Sequence, residues 1–335
     1  MADETPDGTL HQWPAIADAH DWQTLILGNG LSTNVWAPFG YRTLFDHAAR
    51  SELTEVDQEL FAGTTNFESV LADIGTAIRV ASVAGVETGK LYERYHSIQR
   101  ALGQAIRRVH VTKSEVPSTT LALIRTIMEE FEWIFTTSYD LLLYWAMGYG
   151  GRYAPFKDHF RYGGRCQFDP ARADVLASDI PVYYLHGALH LVVGSSGATW
   201  KLTATSLHTI LDQFGRSIAG DSQARPLLVT EGSAAEKLRA IDGNEYLSHC
   251  LDRLRTNDLP TVIFGSSLSA QDDHLVDALN EHRDRPVAVS MLPRASKREQ
   301  ARAQVDLWGR LEVETLYFYD ARTHPLGGDL APSPA

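Results

Sequence analysis

The sequence predicts an α/β protein: a doubly wound, mostly parallel, Rossmann-like sheet that carries a helical insertion. Three observations give this. Short apolar runs such as TLIL at 24–27 and TVIF at 261–264 end abruptly in small, polar or acidic residues. Helix-length stretches with apolar residues at three- and four-residue steps lie between most of these runs. Residues 51–117 show the helical period alone. Strands alternating with helices imply parallel pairing through right-handed crossovers, which bring the strand ends to one edge.

Taken in order, residues 1–20 are polar and acidic and are expected to be a flexible lead-in. Residues 24–27 form the first strand, stopped by Gly28, Asn29 and Gly30, which read as a tight turn. The aromatic-rich segment after Ser32, with Pro38 and Gly40, reads as an irregular loop leading into a helix. It either covers a ligand or is pinned to the core by its aromatics. Residues 51–117 form the insertion, with two antiparallel helices: Phe67, Val70, Leu71, Ile74 and Ile78 mark one apolar face, and Leu91, Tyr95, Ile98, Leu102 and Ile106 the other.

The alternation resumes at Ser118. A helix over 120–130 feeds a strand over 132–137 that stops at Ser138, Tyr139 and Asp140. Further strands are expected over 182–185, ending at His186 and Gly187; over 227–230, ending at Glu231 and Gly232; and over 261–264, ending at Gly265, Ser266 and Ser267. A helix carries Leu238 through Leu251, Asp272 and Asp273 open the next one, and VAVSML and VETLYFY are the last strands. The α/β domain therefore covers 21–50 and 118–321, and 322–335 is expected to be a loose tail.

Composition narrows the function. The chain has 335 residues, 44% of them hydrophobic and 21% charged, within the range of globular proteins. No apolar run approaches the roughly 20 residues that span a bilayer, so a cytoplasmic protein with no membrane contact is expected. The formal charge of -12 argues against direct nucleic-acid binding. Cys166 and Cys250 stand far apart, which excludes a disulfide framework and a C-x-x-C zinc knuckle.

One strand-end edge is expected to carry Gly-Asn-Gly, Thr-Ser-Tyr-Asp, His-Gly, Glu-Gly and Gly-Ser-Ser together, the composition of a polar ligand crevice. Taken singly, each element has an ordinary reading. Gly-Asn-Gly is a common turn, a strand-end histidine is often structural, and Asp140 after Tyr139 is often a helix cap. His186 and His190 also form an H-x-x-x-H pair that suggests a metal hydrolase, although Gly187 breaks helical geometry and no acidic third ligand lies nearby.

In combination, GNGLS, TTSYD, YLHG and FGSSLSAQDD resemble the SIR2-like, sirtuin-related NAD-consuming domains. The longer segments YYLHGALHL, LLVTEGSAAEKLRAIDGNEYL and VIFGSSLSAQDDHLVDAL resemble the bacterial DUF4917 group of that superfamily. The resemblance implies cleavage of the nicotinamide–ribose bond of NAD. On that reading His186, Ser138 and Asp140 are catalytic, His186 serving as general base and Asp140 binding ribose or orienting Ser138. Gly28, Asn29, Gly30 and Ser32 would cradle the pyrophosphate, Gly265, Ser266 and Ser267 would meet the adenosine side, and Thr137 and Tyr139 complete the nucleotide site. Two departures stand out. The chain lacks the four zinc cysteines of protein-deacylating sirtuins, so no metal is expected, and Ser138 replaces the family's usual Asn.

The resemblance also implies a role in bacterial antiphage defence, where NAD depletion follows a trigger. Neither end of the chain looks foldable alone, so control is expected through a homo-oligomer or a separate sensor or regulatory protein. The other reading is a catalytically weak nucleotide-sensing scaffold, for which Ser138 is the argument.

Overall fold

The computed structural model describes residues 5–36, 41–160, 166–170, 179–194, 196–203, 225–229 and 233–330. Eleven strands are placed among them: β1 (Thr24–Leu27), β2 (Trp133–Thr136), β3 (Phe156–Lys157), β4 (Cys166–Gln167), β5 (Ile180–Tyr184), β6 (Gly187–Val193), β7 (Thr199–Lys201), β8 (Arg225–Leu228), β9 (Thr261–Phe264), β10 (Val287–Met291) and β11 (Leu316–Asp320). Seven build one sheet in the order β11-β10-β9-β1-β2-β5-β3, with every pairing parallel. Every residue of β1 and β9 is buried. Helices on both faces supply the apolar cover that such strands require.

The chain moves from β1 outward through β2 and β5, returns to β9 on the other side of β1, and continues outward through β10 and β11. The strand order therefore reverses between β1 and β9. Doubly wound sheets open a crevice at such a reversal, outside the carboxyl ends of the strands.

One expected strand lies elsewhere. The 227–230 run falls on β8, which pairs antiparallel with β6 in a separate four-stranded sheet ordered β4-β7-β6-β8. Only Leu185 and His186 separate β5 from β6, far too few for a parallel crossover, so the chain must change sheets at that corner. Gly187, at φ 76, makes the bend. The expected Glu231-Gly232 strand end lies outside the described residues.

Gly-Asn-Gly is not a turn. Gly28 is an extended N-cap, and the helix Asn29–Val35 starts directly after it, where an irregular loop was expected. Pro38 and Gly40 lie outside the described residues; a second helix, Tyr41–Ser51, follows them. The two expected antiparallel helices are Phe67–Val83 and Gly89–Val109. Asp57, in the short helix Glu55–Glu59, ties the second of them down: it accepts from Ser97 Oγ at 3.1 Å and pairs with Arg94 at 3.1 Å. The helix expected from Leu238 to Leu251 is two, Ala234–Asp242 and Glu245–Arg255, because Gly243 ends the first and Asn244 caps the second, accepting from the Leu247 amide at 3.0 Å.

Both ends, expected to be loose, are docked where they are described. The His11 amide donates to the Phe318 carbonyl at 2.8 Å and the Asp320 amide to the His11 carbonyl at 2.9 Å, extending the pairing of β11. The Trp13 ring packs on Tyr319 and His324. At the other end Leu326 and Leu330 are buried, and Asn34 Nδ2 donates to the carbonyls of Leu326 and Gly328 at 2.8 Å. Apolar anchors within otherwise polar ends explain this docking.

Candidate functional site

At the β1/β9 reversal two glycine segments interlock. The Gly28 amide donates to the Phe264 carbonyl at 2.8 Å and the Gly30 amide to the Gly265 carbonyl at 2.7 Å. A Cβ on Gly30 would lie 2.6 Å from Gly265 Cα, and one on Gly265, at φ +72, would lie 2.7 Å from the Leu31 amide nitrogen. These glycines let two backbones touch. The amides of Gly28 and Gly30 serve this contact and do not form an open anion cradle. Gly265→Ala is predicted to destabilise the protein by about 2–4 kcal/mol, from left-handed strain plus displacement of backbone. Guanidinium unfolding of both proteins measures this; equal midpoints would contradict it.

Beside the interlock, Ser32, Ser138 and Asp140 converge, all buried. Ser32 Oγ and Ser138 Oγ are 3.0 Å apart, and both hydroxyls bond to Asp140 Oδ2. Asp140 Oδ1 accepts at 2.7 Å from the amide of Leu142, the first residue of the helix Leu142–Met147. The two oxygens of one carboxylate thus serve the helix start and the serine pair.

His110, which sequence reasoning missed, supports this segment. It follows the helix Gly89–Val109, binds the Val111 carbonyl through Nδ1 at 2.7 Å, and accepts from the Leu141 amide at Nε2 at 2.9 Å. Those partners require the neutral tautomer with its proton on Nδ1. Burial lowers its pKa, against the pull of Asp140.

His186 sits in the β5–β6 corner, 3% exposed. Its Nε2 lies 2.9 Å from Nε2 of His274, in the first turn of the helix Asp273–Asn280. Lys237, 2% exposed, donates to Asp272 Oδ1 at 2.9 Å beside this pair. Burial, then the charge of Lys237 and the neighbouring imidazole, hold the His186 pKa well below 6.5; burial brings His274 to about 4. Both rings are therefore neutral at pH 7. The Val229 backbone joins this corner to TTSYD: its amide donates to the His186 carbonyl at 2.9 Å, and its carbonyl accepts from the Tyr139 hydroxyl. Thr137 holds the same edge, its amide donating to the Leu27 carbonyl at 3.0 Å.

The H-x-x-x-H pair does not form a metal site. His190 lies on β6, where four residues of extended chain span about 13 Å, and its ring packs between Tyr144 and Tyr184. Donor atoms of His186, Asp272 and His274, in contrast, lie within 4.8 Å of one another. They are of the right types for a transition metal. The Lys237 ammonium nevertheless already balances the Asp272 charge, and the two Nε2 atoms stand at hydrogen-bond distance.

A cavity of about 1210 Å³ opens over the carboxyl ends of β9 and β10 and the start of the turn after β11, lined by Gly30, Ser266, Ser267, Met291, Arg294 and Arg322 among others. Gly265 also faces it. Asn29 is exposed at the start of its helix. Eight of the twelve expected residues thus divide among three places: Gly30, Gly265, Ser266 and Ser267 at the cavity, Ser32, Ser138 and Asp140 in the buried hydroxyl–carboxylate cluster, and His186 in the histidine pair. Asp272, His274 and Lys237 join the last; Asp272 had been read only as a helix start.

The sheet reversal, the glycine interlock and the crevice beside it define a doubly wound α/β protein with a switch-point site. The chain belongs to the family described as a domain of unknown function, DUF4917, whose model matches residues 25–324. No curated protein sequence matches the chain significantly. Among solved structures it is similar to one described as the structural basis for the mechanism and regulation of Sir2 enzymes, at 11% identity over 94% of each chain and a TM-score of 0.38. It is also similar to a mutant Sir2 homologue in complex with 2'-O-acetyl ADP ribose, at 12% identity over 90% of this chain and 97% of that one, with a TM-score of 0.37. No helix among the described residues is long and apolar enough to cross a membrane.

Proposed function

We propose that the protein is an NAD glycohydrolase of the SIR2-like type, cleaving NAD to nicotinamide and ADP-ribose. The observation that carries this reading is a neutral, buried His186 on the sheet edge that also carries the Gly28–Gly265 interlock and the Ser138–Asp140 cluster. The nicotinamide–ribose bond breaks through an oxocarbenium-like transition state, and the pyridinium leaves as a neutral molecule. The protein then needs to fix the ribose, exclude bulk water and accept one proton from a ribose hydroxyl or from water. A neutral imidazole offers the bare nitrogen that the last task needs. Ser138 and Asp140 meet the nicotinamide ribose, and the adenosine half occupies the cavity past Ser266 and Ser267, with Arg294 at its rim.

Its biological role on this reading is a triggered effector in antiphage defence, restrained until self-assembly or a partner protein completes it. One observation favours the second reading, a nucleotide-sensing scaffold: both hydroxyls near Asp140 are already spent on that carboxylate.

Incubating purified protein with NAD, with and without chelator and with and without the proteins encoded beside it, tests the proposal when nicotinamide release and mass by light scattering are followed together. Nicotinamide and ADP-ribose are expected in equal amounts, insensitive to chelator and rising with assembly. Ser138→Asn is expected to retain or raise that activity. NAD binding without nicotinamide in every condition would favour the scaffold.

A further inference from the structure

The only histidine the sequence sets beside His186 is His190, whereas the structure pairs it with a buried imidazole 88 residues further on. We propose that His274 is a positioning residue for His186, holding its Nε2 edge so that Nδ1 is the nitrogen presented to substrate. This rests on the glycohydrolase reading of the same site. The Nε2···Nε2 separation of 2.9 Å is a hydrogen bond, so one nitrogen carries the proton and the other does not.

For His186 to accept a proton at Nδ1, that nitrogen must be bare, and its own proton must then sit on Nε2 and be donated to His274. When Nδ1 takes a proton from a ribose hydroxyl or from water, the resulting imidazolium keeps the Nε2–H···Nε2 bond and gains a charge-assisted hydrogen bond. The logic is that of a general base oriented by a third group, here a neutral imidazole in place of a carboxylate. Asp272 and Lys237 fit this arrangement. The ion pair of Lys237 Nζ and Asp272 Oδ1, at 2.9 Å, lies beside the two rings, and its ammonium favours the neutral His186 that must accept the proton. His274 itself is anchored by its place in the helix Asp273–Asn280, where Arg310 pairs with Asp273 at 2.6 Å.

The test combines kinetics with a direct view of the tautomer. His274→Leu should lower kcat for nicotinamide release roughly 100-fold, the scale of losing an orienting partner of a general base, with KM for NAD changed less than about threefold. His274→Gln, whose side-chain oxygen can accept from Nε2–H, should recover most of that loss. Selective 15N-histidine labelling of the wild type, assigned with the two histidine variants, should show His186 protonated at Nε2 and bare at Nδ1. His186 protonated at Nδ1, a fully active His274→Leu, or stoichiometric zinc whose removal abolishes turnover would each overturn the proposal. The nitrogen spectrum needs no substrate. A wild type that shows the expected tautomer but releases no nicotinamide even in the activated assembly would therefore overturn the glycohydrolase reading and leave the pair intact.

Discussion

Lowering the pH from 7 to 5 should unfold the protein or reduce its melting temperature by tens of degrees. Five buried histidines drive this. Burial holds the pKa of His159 at about 3 and those of His274 and His324 at about 4, and pushes those of His186 and His190 well below 6.5. Above pH 6.5 these rings are neutral whether the chain is folded or not, and they place no pH dependence on stability. Below it, the unfolded chain binds protons that the folded protein refuses, so stability falls as the pH drops from 6.5 to about 4, where the folded rings begin to titrate. His159, His274 and His324 each cost about 2 kcal/mol by pH 5, on the order of 6 kcal/mol together, and His186 and His190 add in the same direction. That matches the whole stability of a typical domain, about 5–15 kcal/mol. His110, lowered by the same burial, adds in the same direction. Melting curves at half-unit steps measure it, and a melting temperature flat between pH 7 and 5 would show that these rings are solvated or paired in solution.

Much of the architecture is legible from residue order because its signals are local. TLIL and TVIF are apolar runs stopped by glycine, VAVSM is followed by Leu292 and Pro293, and each is a strand of the main sheet. The helical pair over 67–109 declares itself by period. The four-stranded sheet is not legible, since β4 and β7 are two and three residues long and β6 begins directly after His186. The helix at Asn29 is hidden because glycine and asparagine read as turn formers, while here the glycines serve a backbone contact with Gly265 that only the folded sheet creates.

The candidate site follows the same division. His186, Ser138 and Asp140 stand at strand ends and can be found there. The partners that set their chemistry come from far along the chain: His274 reaches His186 across 88 residues, and His110 reaches Leu141 across 31. No motif spacing reports such pairs. The docked ends were missed for a related reason, because single anchors such as Trp13 and Leu326 carry no periodicity.

Replacing His186 by alanine should reduce nicotinamide release by at least about 1,000-fold, the scale on which removing a general base acts when the remaining site still binds and orients substrate. The fold should survive. His186 precedes the β6 corner, its backbone carbonyl bond to the Val229 amide does not depend on the side chain, and the loss of one buried imidazole removes one of the groups that oppose folding in acid. NAD affinity should change little, because on this proposal the adenosine half lies in the cavity lined by Ser266, Ser267 and Arg294, away from His186. The measurement that bears most directly on the account is therefore NAD binding by calorimetry and nicotinamide release, made side by side on wild type and His186→Ala in the activated assembly. The account predicts equal binding, with release confined to the wild type. Equal release from both proteins would contradict it.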